Sequence, residues 1–319
     1  MKQYTHAWLA FTAVKRLKHV APQLTAKNKT VTKNLVRFIM HHEDDIIQGA
    51  WYPDAVIKDM ANSHVLKITP STQATNQFKK LPTTHLVHNH TRNSQLKNQS
   101  FAIEKDDNLP DRCESIIHSI IDNAKMQKRE AKGSPVSPTN NHIALRFFML
   151  SHYFADAHVP FHCDSRKFSS GANIHAKMEK KWDDLIKFHY EIDSNHKRFL
   201  YDRYGFPLRR MNRDVQYQSS YLKRIEDELN GRRFRVSYGT GGDNTWDFAS
   251  AICQHSYLMS YEFIPGNYNH RNVTANNWDS IGSISFDDLS VAVLSDAIDS
   301  ISRVWFRAWR RYMKWAKQI

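Results

Sequence analysis

Residues 152–179 read HYFADAHVPFHCDSRKFSSGANIHAKME. His152 and Asp156 stand four apart, so on a helix they share one face. Pro160 ends that helix and pushes Val159 toward extended geometry, and His162 follows the turn. His175 and Glu179 repeat the spacing of four on a second predicted helix, 172–190. Two helices, each presenting a ligand pair from one face, can grip metal ions between them. Imidazole and carboxylate donors without thiolates suit zinc at a catalytic rather than a purely structural site.

Outward from this stretch, helical periodicity dominates. His6, Ala10, Ala13, Leu17 and Val20 line one face of a first helix. Leu35, Phe38 and Ile39 mark a second, running toward Gly49 and broken by Pro53. Residues 60–108 are rich in Thr, Asn, Lys and His and read as a long irregular excursion. Pro110 opens a helix to about Lys128 with Ile116, Ile117, Ile120, Ile121 and Ala124 as its stripe. After a loop at 133–141, Thr139 or Asn140 caps the helix 142–158. The glycine cluster in 237–244 lacks the Lys-Ser/Thr of a phosphate-cradling loop. Helices are expected at 245–263 and 286–317. In the last one Leu294, Ile298, Ile301, Trp305, Ala308 and Tyr312 form the stripe, with Arg303, Arg307, Arg310, Arg311, Lys314 and Lys317 mostly off it. A core helix with a solvated basic back is the favoured reading, a membrane-surface helix the alternative.

With 319 residues, 10 of them Gly, the chain is long enough for a large core and too glycine-poor for a turn-rich all-β fold. A formal charge of +13 favours anionic partners without specifying one. The 3 cysteines do not make a disulfide framework. No long apolar run is present, so no transmembrane segment is expected. The N-terminus shows no secretory signal, which places the chain in the cytoplasm unless another export route serves it.

The pattern His-Tyr-x-x-Asp-x-x-x-Pro-x-His, here His152, Tyr153, Asp156, Pro160 and His162, resembles the signature of the zinc-dependent phospholipase C family and of the related fungal single-strand-specific nucleases. His175-x-x-x-Glu179 and the short gap after His162 are similar to the phospholipase branch. The resemblance implies an all-α multi-helix bundle over 1–319, with the metal site between helices. It also implies two or three zinc ions. Asp54 in QGAWYPDAV resembles a metal-binding Asp of the family, and His6 its N-terminal helix ligand. One further His is needed: His64 is the first choice, His85 the alternative, with His88 and His90 behind them.

Carried over, Asp54, His64, His152 and Asp156 hold one zinc; His162, His175 and Glu179 a second. His6, Asp156 and the amine of Met1 hold a third, although the family has Trp where Met1 stands. Asp54 also serves as proton acceptor. The implied activity is phosphodiester hydrolysis by zinc-activated water on a phospholipid or nucleic acid, with peripheral membrane contact as a further expectation. Residues 1–5 contain no acid and Ala55 follows Asp54, so the family's choline-binding group is not matched. Rival readings are a nuclease or nucleotidase on the same fold and a non-enzymatic metal-stabilised binding protein. His158 is expected to contact phosphate or to close its helix, and Cys163 to be a buried structural thiol.

Overall fold

The computed structural model describes residues 1–70, 101–103, 108–130, 134–166, 173–238, 244–266, 268 and 272–316. The chain is all-α. Among the described residues eight longer helices carry it: α1 Gln3–Val20, α2 Ala26–Met40, α3 Leu109–Arg129, α4 Asn140–Ala157, α5 Ile174–His189, α6 Tyr221–Gly231, α7 Thr245–Phe263 and α8 Phe286–Tyr312. Two small antiparallel pairs complete it: β1 Ile68–Pro70 with β2 Phe101–Ile103, and β3 Ile192–Asp193 with β4 Arg198–Phe199.

Local signals account for the starts of most of these helices. Asn108 and Asp111 form a reciprocal capping box on α3, with Pro110 in the first turn. The Thr139 side chain accepts the His142 N–H at the start of α4. Asn173 takes a left-handed conformation (φ 35°) and accepts the Ala176 N–H to start α5. The start of α1 has no such local cap. Its partner comes from α5, where Asp183 Oδ1 accepts the Tyr4 and Thr5 N–H groups at 3.0 and 3.2 Å. A carboxylate at this end also meets the positive pole of the helix.

Three sequence readings are corrected. The second helix does not reach Gly49: α2 stops at Met40, and a separate turn, Ile46–Gly49, follows. Pro53 does not merely break a helix but opens a wide π-type turn, Pro53–Ile57. The basic back of the last helix is solvated only toward its C-terminal end. Arg303 and Arg307 are buried with the apolar stripe, while Lys314 is exposed and Lys317 lies outside the described residues.

The reason is the place of α8, which packs against α1, α2, α3, α4, α6 and α7. A helix surrounded in this way must bury its polar side chains and satisfy them internally. Ser290 and Ser302 return their hydroxyls to Phe286 O (2.7 Å) and Ile298 O (2.8 Å) on the same helix. Arg303 pairs with Asp299 (3.0 Å), which also takes Arg16 of α1 (3.3 Å). Arg232 pairs with Asp296 (2.5 Å). Arg16 further donates to Leu229 O and Arg232 O at the end of α6. This charged seam ties α1, α6 and α8 together.

Within the excursion expected at 60–108, the described residues include a tight turn at Ala61–His64 and the β1–β2 pair. His85, His88 and His90 lie outside the described residues, as do 239–243 of the glycine-rich segment. Among the described residues, no helix is long and apolar enough to cross a membrane.

Candidate metal centre

The centre is built around the C-terminal half of α4. His152 and Asp156 project from one face of it, and both are buried. Gly49 lets the preceding turn close on this helix: a Cβ there would meet Phe148 Cδ2 at 2.6 Å. That approach delivers the carbonyl of Ala50 to His152 Nδ1 at 2.8 Å. With Nδ1–H donated to the carbonyl, Nε2 keeps its lone pair for the centre.

His64 sits on the turn Ala61–His64, its Nδ1 2.9 Å from Asp156 Oδ2 and 3.1 Å from His152 Nε2. Asp54, partly exposed in the π-type turn, places Oδ1 3.6 Å from His64 Nε2 and 3.7 Å from His152 Nε2. Behind His64, Tyr153 donates its hydroxyl to Asp59, and Arg112 pairs with the same carboxylate at 2.9 Å. The Tyr153 ring lies 5.2 Å from the His64 ring, so this trio backs the ligand turn.

His162 enters from the short turn Pro160–Cys163, whose preceding Val159 is extended as expected before proline. Arg166 secures the exit of that turn, pairing with Asp164 (2.7 Å) and donating to Ile264 O (2.7 Å). His162 Nε2 lies 2.8 Å from His175 Nε2 and 3.4 Å from Glu179 Oε1. His175 Nε2 is 2.6 Å from the same oxygen.

The third part comes from α1. His6 stacks on His152 with centroids 4.0 Å apart, and its Nε2 lies 3.6 Å from Asp156 Oδ1. The Met1 amine lies 3.1 Å from Asp156 Oδ1 and 2.8 Å from Glu179 Oε1.

The nine residues singled out in the sequence are thus brought together. Three groups each gather donor atoms within 4.8 Å of one another: Asp54, His64 and His152; His162, His175 and Glu179; His6, His152 and Asp156. The third differs in detail from the expectation, since His6 groups with His152 and Asp156, while the Met1 amine bridges Asp156 and Glu179. Asp156 joins the halves, with Oδ2 toward His64 and His152 and Oδ1 toward Met1, His6 and His162.

The electrostatics suit a cation. Burial opposes charge on Asp156, yet the Met1 ammonium and the imidazoles hold it well below the usual carboxylate range. Glu179 is held down in the same way. Burial depresses the Met1 ammonium too, but the two carboxylates outweigh it and raise its pKa to about 10. Burial pulls His162 to about 4 and His6 well below 6.5, so both imidazoles are neutral donors at pH 7. At His64 the bond to Asp156 outweighs burial and raises the pKa.

Both ring nitrogens of His6 and Nδ1 of His162 are buried with no hydrogen-bond partner among the described residues. Orphaned neutral nitrogens converging on carboxylates are what a divalent cation satisfies. The residues present therefore fit metal ions.

Sequence spacing did not reveal Ala50 O, the Asp59–Arg112 support or Asp183. Each reaches its partner across a long chain separation, and no local pattern signals it. His158 faces away from the centre: it is buried, with Nε2 3.0 Å from Ser300 Oγ on α8. It stands at the C-terminal cap of α4, in keeping with the helix-closing alternative. Cys163 is buried and free, as expected.

No protein-family model matches the chain, and no curated protein does. Among solved structures, the chain is similar to Clostridium perfringens alpha-toxin isolated from avian strain SWCP, with a TM-score of 0.42 and 16% identity. The match covers 94% of this chain, which spans 62% of the toxin's length.

Proposed function

We propose that residues 1–319 form one helical domain that hydrolyses phosphodiesters with zinc, in the manner of the phospholipases C that its His-Tyr-x-x-Asp-x-x-x-Pro-x-His stretch resembles. The observation that carries this reading is the convergence of three His–carboxylate groups on Asp156, with orphaned imidazole nitrogens among them. Asp54, His64, His152 and Asp156 Oδ2 would hold one ion, and His162, His175 and Glu179 a second. His6, Asp156 Oδ1 and the Met1 amine would hold a third.

Zinc bound there supplies Lewis acidity toward phosphate oxygens and lowers the pKa of water to roughly 7. The protein's own groups do the rest. His152 is locked in one tautomer by Ala50 O. The Met1 ammonium must give up its proton before its nitrogen can act as a donor, so loading releases a proton. Asp54 is the most exposed carboxylate of the centre, which suits it to accept a proton from the attacking water.

The test is metal analysis of protein purified without chelator, followed by assays on phospholipid vesicles and single-stranded DNA. About two to three zinc ions per chain and chelator-sensitive hydrolysis of vesicles are expected. Hydrolysis of DNA alone would move the activity to the nuclease reading. Zinc without any hydrolysis would leave a metal-stabilised binding protein.

A further inference from the structure

The positive charge of this chain is unevenly placed. No carboxylate precedes Glu43 in the sequence, so α2 carries cations alone. Its exposed positions are Ala26, Lys27, Thr30, Lys33 and Arg37. These follow one side of the helix, and Lys27 to Arg37 spans about 15 Å.

The line continues at the start of α2. Thr25 and Asn28 border a cavity of about 510 Å³ together with Arg233, Arg235 and Ser237 of the segment after α6. Arg233 and Arg235 are exposed. No carboxylate lines this cavity among the described residues. Glu228, the acid that precedes Arg233 in the chain, is paired with Arg232 at 3.1 Å.

Other surface lysines have partners: Lys125 holds Asp122 at 2.9 Å, and Lys223 holds Asp227. Lys27, Lys33, Arg37, Arg233 and Arg235 form no ion pair among the described residues. Like charges gathered in this way favour an anionic partner.

The lack of exposed apolar groups narrows its class. None of the large apolar side chains exposed among the described residues lies in 1–42 or 231–238. Stable docking on a lipid surface takes apolar burial beside charge, and a protein interface takes an apolar core. A nucleic-acid backbone takes neither. Its phosphates are met by Lys and Arg together with Thr, Asn and Ser side chains, the set found here.

We propose that the exposed side of α2 and residues 233–237 bind the phosphate backbone of a nucleic acid without reading its sequence. Lys27, Lys33, Arg37, Arg233 and Arg235 neutralise phosphates, and Asn28 and Thr30 donate hydrogen bonds between them. The face is separate from the metal centre and independent of the hydrolytic reading.

Fluorescence anisotropy of the full chain tests it, with a labelled DNA single strand and a duplex of about 20 nucleotides. Both carry phosphorothioate linkages, which keep the charge and resist hydrolysis, so the result does not depend on the metal centre. Five neutralised phosphates give a slope of log K on log salt of roughly −3.5 for the single strand and −4.5 for the duplex. Lys33→Gln with Arg37→Gln, and separately Arg233→Gln with Arg235→Gln, each make that slope shallower by about 1.5 to 2. Each pair also weakens binding at least about tenfold near 50 mM salt. Lys125→Gln with Lys223→Gln removes as much charge elsewhere and leaves the slope unchanged. An uncharged methylphosphonate strand does not bind. The proposal is overturned by a wild-type slope shallower than about −1, by equal losses in the Lys125 and Lys223 pair, or by affinities that both face variants leave unchanged. Flotation with phosphatidylglycerol vesicles is the last arm. Co-flotation lost in both face variants, with strand binding unmoved, would assign the face to a lipid surface and likewise overturn it.

Discussion

Two of the buried polar clusters among the described residues are built on opposite principles. The seam among α1, α6 and α8 sets guanidinium against carboxylate: Arg16 and Arg303 on Asp299, Arg232 on Asp296. The centre around Asp156 sets imidazoles and the Met1 ammonium against carboxylates, and burial holds His6 and His162 neutral. Arginine keeps its charge, so the seam sets fixed cations against carboxylates and ties helices together. The centre keeps imidazole nitrogens without hydrogen-bond partners, an arrangement that suits a cation. Burial of polar groups alone does not mark a functional site. The marker is whether the groups neutralise one another.

The sharpest way to break this comparison is Asp156→Asn. The amide keeps the shape but loses the charge and the two-sided acceptor that joins the groups. Zinc content should fall below about one per chain and hydrolysis by roughly a thousandfold or more. Metal analysis and a vesicle assay read both. Retention of full zinc would show that Asp156 is not the shared ligand.

The matching change in the seam is Asp299→Asn. It leaves Arg16 and Arg303 without their carboxylate and should destabilise the fold by about 3–5 kcal/mol. Zinc per folded chain should stay constant, as urea denaturation beside metal analysis can show. Loss of metal in proportion to stability would mean that the two clusters are one unit.

A smaller effect is expected at the junction that serves the centre. Gly49→Ala places a methyl against Phe148 and should cost about 1–3 kcal/mol. It also loosens the Ala50 O–His152 bond, so zinc affinity should drop by roughly tenfold. Competition with a calibrated chelator measures this, and unchanged affinity would remove the carbonyl from the positioning scheme.

The smallest effect concerns pH and lies near the seam. Burial, with neighbouring His255 and Arg232, holds the His158 pKa well below 6.5, against the opposing pull of Asp299. In the unfolded chain this histidine binds a proton near 6.5, while in the folded chain it stays neutral. Its contribution to stability is therefore present above pH 6.5 and lost as pH falls toward the folded value. The slope approaches about 1.4 kcal/mol per pH unit at most. Thermal melts between pH 7 and 5 should be flatter in His158→Gln. Equal slopes would assign the acid sensitivity elsewhere.

Much of this was legible in the sequence because helices write their period into it. The span 245–263 was marked by apolar residues and matches α7. His152, Asp156, His175 and Glu179 were visible because helical spacing converts directly into a shared face. The charge seam was not visible, because arginines off an apolar stripe look alike whether water or a carboxylate on another helix receives them. The helices Asp214–Gln218 and Tyr221–Gly231 were also unread. The Met1–Glu179 contact belongs to the same class, since nothing near Met1 in sequence announces Glu179.

The cap on α1 has a consequence for how the molecule comes into being. Asp183 follows the backbone groups it holds by 178 and 179 residues. On the ribosome, the opening helix must wait through most of synthesis before the side chain that anchors its start has emerged. His6 and Met1 can therefore take up their places only late, and a nascent chain stalled before α5 would carry an unanchored first helix.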